Sequence, residues 1–182
     1  MRRKQNGSFT VELAIILVFV SMAFHFQINN SIAISTKGKL DRLSYSLVNI
    51  LSERRQLFND EGDMCSDRRK CSAVLDDMLD IAKASLGRTS GEFNPDKLGI
   101  RIEELRKEKS NKFYTVRTAG SLDGCNLPSI QNNTSLLPKT SRNRHLPMYQ
   151  VTLCYETPFN VTGIADGNLM RVVSSSFTYA RI

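Results

Sequence analysis

The residues best placed for chemistry in this 182-residue chain are one acid and four cysteines. Glu12 stands at the lip of an apolar run that continues to Phe26, behind a basic start, Arg2-Arg3-Lys4, and Gly7. A charge entering hydrocarbon costs free energy, so an acid there calls for a partner, and in low dielectric a nearby ammonium group best offsets that cost. Cys65, Cys71, Cys125 and Cys154 all follow the apolar run. An even count in an oxidising compartment points to two disulfides, with three connectivities open. The preferred pairing joins Cys65 to Cys71, pinning a loop, and Cys125 to Cys154, tethering a longer loop to a strand. On a loop-entropy model these contribute about 2.4 and about 3.6 kcal/mol. Six-residue cysteine spacing is not that of a zinc finger, and the two histidines, His25 and His145, complete no ligand set. No metal and no cofactor is expected. The sequence has no phosphate-cradling glycine loop, metalloprotease helix or nucleophile elbow. The neighbouring acids Asp76-Asp77 and Glu103-Glu104 point apart and read as surface charges rather than an acid–base couple. The chain is not expected to be an enzyme.

The element that must position Glu12 is the apolar run itself. Ser8 to Phe26 is nineteen residues, roughly 28 Å as a helix and close to a hydrocarbon core of about 30 Å. Its large apolar side chains favour insertion by roughly 3–5 kcal/mol together, against about 3 kcal/mol for a central acid and less for one near the end. The three bases of the leader predict that the N-terminus stays cytoplasmic and the rest is exported. The segment fits a secretory signal peptide cut near Ser21-Met22-Ala23, or an uncleaved anchor on an exported sensor or binding domain. A third reading depends on the resemblance described below. The net charge of +7 owes three units to the leader, and the remaining bases alternate with acids, as in Glu103-Glu104-Leu105-Arg106-Lys107-Glu108-Lys109. That is a solvated face, and nucleic acid is not an expected partner.

Beyond Phe26 the helical pattern continues. Leu40, Leu43, Leu47, Ile50, Leu51 and Leu57 recur at spacings of three and four, which predicts one apolar face on residues 27–58. Gly38 and the polar residues 35–36 are an expected weak spot or bend. A loop from Asn59 to Lys70 leads to a second helix, with Ser72 as N-cap, Leu75, Met78, Leu79, Ala82 and Leu86 on one face, and Gly87 as C-terminal cap. After Pro95 the period becomes two. Leu98-Ile100-Ile102, Tyr149-Val151-Leu153-Tyr155 and Val173-Ser175-Phe177-Tyr179 alternate, with a shorter strand at Tyr114 to Thr118. Gly120 to Pro147 reads as a long loop. The expected fold class is α+β: a long N-terminal helix, transmembrane over 8–26 and amphipathic over 27–58, packed on a small, mostly antiparallel sheet within an exported globular domain, 59–182.

Several stretches resemble one family. A basic leader, a glycine and a glutamate at the fifth position after it (Gly7-Ser8-Phe9-Thr10-Val11-Glu12) are similar to a prepilin-type leader cut after the glycine. Ser44-Tyr45-Ser46-Leu47-Val48-Asn49-Ile50-Leu51, then Glu53-Arg54, resembles the helix of TadF-like minor pseudopilins of the bacterial tight-adherence (Tad) pilus system, and Cys154-Tyr155-Glu156 is similar to a stretch of the same group. The resemblance implies a pilin-like fold and cleavage between Gly7 and Ser8 by a prepilin peptidase. It also implies helix–helix assembly through Phe9 and Glu12, the acid pairing with the freed amine of Ser8 or of a neighbouring subunit. The partners it implies are other pilins and pseudopilins, a TadE-like one among them, the inner-membrane pilus platform and membrane lipid. It places the chain in the bacterial inner membrane as a single-pass protein with its C-terminal domain in the periplasm, and in a surface pilus. Ser8 departs from the large apolar residue usual at the first mature position of type IV pilins, which bears on N-methylation rather than on cleavage.

Overall fold

Helical and two-fold periodicities in the sequence become two helices and four strands in space. The computed structural model describes residues 8–57, 68–91, 93–108, 111–157 and 171–180. Helix α1 (Ser8–Leu57) is unbroken over 50 residues. The bend expected at Gly38 is absent. Glycine in a helix interior costs about 1 kcal/mol, but both sides of this one are pinned: Lys37 Nζ donates to Val173 O at 3.4 Å and Lys39 Nζ to Thr89 O at 2.8 Å. Only the second half of α1 has a buried face. Leu40, Leu43, Leu47 and Leu51 lie in the core as expected, whereas Ile50 is 46% exposed. The face is turned toward Ser44 and Val48, both fully buried, because Ser44 hydrogen-bonds into the sheet.

Helix α2 (Arg68–Thr89) buries the expected stripe, Leu75, Met78, Leu79, Ala82 and Leu86. It starts a turn before Ser72 and continues two residues past Gly87, so neither residue caps it. Its last carbonyls are satisfied in other ways: Leu86 O accepts from Ser90 N at 2.9 Å, and Thr89 O accepts from Lys39. A left-handed glycine is not needed there.

The sheet is fully antiparallel, in the order β2-β1-β3-β4, with β1 at Leu98–Glu108, β2 at Asn111–Gly120, β3 at Met148–Glu156 and β4 at Arg171–Tyr179. The expected strand from Tyr114 to Thr118 lies inside β2. Alternation of side chains assigns each residue a face. Leu98, Ile100 and Ile102 join Tyr149, Val151, Leu153 and Tyr155 on the inner face, where they form the main core with α1 and α2. The expected alternating strand at 173–179 is β4, and its apolar set takes the other face. By register, Val173, Ser175, Phe177 and Tyr179 lie on the outer face, and Phe177 is 54% exposed. Apart from Val172, which packs on the core, the inner face of β4 is polar and meets α1 through hydroxyls: Ser44 Oγ lies 3.0 Å from Ser174 Oγ and 2.8 Å from Ser176 Oγ, and Ser174 Oγ donates to Asp41 Oδ1 at 2.6 Å.

The segment 121–147 is a third layer rather than a peripheral loop. Gly120, at φ +76°, turns the chain out of β2, and a side chain there would collide with Leu98 O. The segment then crosses the outer face of the sheet as a strap. Ile130 and Leu137 pack on Leu105 and Met148, with Tyr114 and Tyr179 at the margin, and Gln150 Nε2 donates to Pro128 O at 2.8 Å. This layer changes the standing of the acid pair. Glu103 and Glu104 do point to opposite faces, but both are buried, not surface charges. Glu103 is covered by the strap, and Glu104 lies on the helix side, with Oε1 3.4 Å from Arg106 Nε.

Candidate functional site

The site suggested by the sequence is the free half of α1, and it is built from very little. Residues 9–28 are exposed without interruption. They span about 30 Å at 1.5 Å per residue, the thickness of a hydrocarbon core. The most apolar window of this helix has a mean hydropathy of 2.1, and none of it is buried. A helix so apolar on all sides needs lipid or other helices around it. Within this stretch Ser21 Oγ donates to Val18 O at 2.8 Å, which satisfies the group within the helix.

Near its start the helix carries a shallow apolar groove lined by Thr10, Val11, Ala14, Ile15, Val18 and Phe19. These positions advance by one and four residues, the arrangement that leaves a hole for a knob from a facing helix. Thr10 and Ala14 keep the floor low, which lets backbones approach. Phe9 is 69% exposed and lies on the opposite side of the helix from this groove. Glu12 lies on the flank of this groove, four positions and about 6 Å along the axis from Ser8, where α1 begins. The structure therefore brings Phe9, Glu12 and the first residue of the helix onto one turn and a half. Gly7 lies outside the described residues, as does the side chain of Ser8.

Of the cysteines, Cys125 and Cys154 form a disulfide with Cα atoms 6.4 Å apart, as preferred from the sequence. It pins the strap to β3. The Cys65–Cys71 pairing falls outside the described residues. His145 Nδ1 lies 3.3 Å from Leu137 O within the strap, and His25 is exposed on α1.

The sequence reading missed one cluster entirely. Glu103 Oε1 accepts from Arg101 Nη2 at 2.6 Å, from Ser129 Oγ at 2.7 Å and from the Tyr114 hydroxyl. Burial works against the charge on Arg101, but the hydrogen bond to Tyr114 and the charge of Glu103 outweigh it and hold the guanidinium pKa above its ordinary value. The available signal was the spacing: residues two apart on a strand share a face, so Arg101 and Glu103 had to be neighbours. What bonds them to the strap is Ser129, and no local pattern announces that. The cluster has neither a nucleophile–base pair nor a cleft and acts as a buried clip.

A family model described as "Putative tight adherence pilin protein F" (TadF) matches residues 1–181. No curated protein and no solved structure matches the chain.

Proposed function

The chain belongs to the TadF family of tight-adherence pilin proteins, and from that premise we propose that it is a minor pseudopilin that assembles or primes a Tad-type adhesive pilus. Membership makes it a pilus-related, membrane-anchored component of a family that is structural in character. The finer reading rests on the bare, groove-bearing helix that opens at Ser8 with Glu12 one turn inside. A prepilin peptidase cuts between Gly7 and Ser8. The new amine then joins the unpaired amides and the positive end of the helix dipole, and Glu12 offsets this charge in its own subunit or in a neighbour. Helices that leave the pair unmade in lipid are penalised, so the acid sets the depth at which subunits align. Knobs from partner helices, in other pilins, pseudopilins or a TadE-like subunit, fill the groove by Ala14. The membrane platform of the pilus receives this assembly from the cytoplasmic side, and the globular domain, 59–182, faces the periplasm.

The mature N-terminus tests the reading. Mass spectrometry of the membrane form should find Ser8 first, Gly7→Arg should block that maturation, and Glu12→Ala should permit it but reduce piliation. A working chain that still begins at Met1, or normal piliation by the Glu12 variant, contradicts it.

A further inference from the structure

The packed face of α1 starts very close to its bare half, and this has a consequence for the domain. Residues 9–28 are exposed, whereas Asn29, Ile32, Ala33 and Thr36 are already half-buried, and Leu40 is fully buried. If the bare stretch spans hydrocarbon, the headgroup layer, roughly 5–7 Å deep on each side, covers about the next four residues. The domain begins inside that layer.

The sheet presents a charged rim at this level. Lys37 reaches Val173 O, and Ser44 reaches Ser174 and Ser176, so β4 runs alongside α1 in the same direction. Arg171 lies two residues, about 7 Å of strand, closer to the bare half than Val173. That puts it level with about Ile32 on the helix. Glu156 pairs with Arg171 across the strands and lies 2.7 Å from Lys97. The Lys97 hydrogen bond, with the charges of Lys97 and Arg171, holds the Glu156 carboxyl below its usual range, against a smaller opposing effect of burial. Lys37 and Lys39 stand just above, and helical side chains lean toward the N-terminus, here toward the membrane. Arg88 is exposed at the end of α2. Among the described residues the acids at this end are Glu156, Asp96 and Asp123, fewer than the bases.

We propose that the rim formed by Lys97, Arg171 and Lys37 docks on anionic phospholipid headgroups of the leaflet from which α1 emerges. This inference rests on the membrane-anchored reading. Headgroup phosphates meet a cationic edge fixed at their own depth by the helix, so the domain sits on the bilayer instead of standing off it. Each cation within reach of an anionic surface contributes about 1 kcal/mol, a factor of about five in occupancy.

Hydrogen exchange of the full-length chain in nanodiscs tests this, with phosphatidylcholine alone compared with phosphatidylcholine plus phosphatidylglycerol. Insertion is first confirmed by resistance to alkaline extraction. Amides at Lys97–Leu98 and Arg171–Val173 should exchange about fivefold more slowly in the anionic discs, with Val151–Leu153 unchanged. High salt should remove the difference, and so should the variant K37Q/R171Q. Equal exchange in both discs by an inserted chain overturns the docking surface alone, and a chain that does not insert overturns it together with the anchored reading. Should the variant not fold, the salt series on the natural chain decides.

Discussion

At the scale of single residues, Glu103 acts as a buried junction. Its Oε1 gathers an arginine from its own strand, a tyrosine from β2 and a serine from the strap, so three elements meet at one atom. Hydrogen bonds to a charged group contribute more than neutral ones, and removing a buried charge strands its partners. Glu103→Gln, which keeps the shape but not the charge, should lower stability by about 2 kcal/mol. Ser129→Ala, which removes one donor only, should cost about 1 kcal/mol. Denaturant unfolding of the two variants measures both, and equal, negligible losses would show that the clip is incidental.

Among the elements, the strap depends most on its fastenings. Its buried apolar contacts are Ile130 and Leu137, and Glu103, Gln150 and the disulfide fasten it to the sheet. Replacing Cys125 and Cys154 by serine should therefore cost about 3–4 kcal/mol on the loop-entropy account. The loss should be uneven, with amides near Ile130 and Leu137 exchanging faster while those of β1 and β3 hold. If the strap keeps its protection in the serine variant, the disulfide is not what fastens it. The strap also shows where sequence reading stops. The inner-face stripes of β1 and β3 and the stripe of α2 were legible because burial on one side leaves a period. The outer layer leaves none: Ser129 and Pro128 are ordinary loop residues until the sheet is placed beneath them. The same gap hid the burial of Glu103 and left open which face of β4 turns inward; its alternating apolar set faces outward while serines line the seam with α1. Gly38 looked like a hinge by propensity, and lysine anchors on either side, reaching residues far along the chain, made it helix.

For the whole molecule, the division of labour along α1 is sharp. Residues 9–28 contribute no buried side chain, and the core begins farther along the helix. A fragment of residues 29–182 should accordingly fold as a soluble protein, with a stability within about 0.5 kcal/mol of that of the full chain. Circular dichroism and thermal unfolding of the fragment beside the detergent-solubilised parent would check this. Loss of the sheet signal in the fragment would mean that the bare half supports the core through residues outside the described set.

The unbroken passage of α1 through Gly38 has a mechanical meaning. With no joint between stem and head, torque or thrust applied to the bare half passes along one continuous helix into the sheet domain.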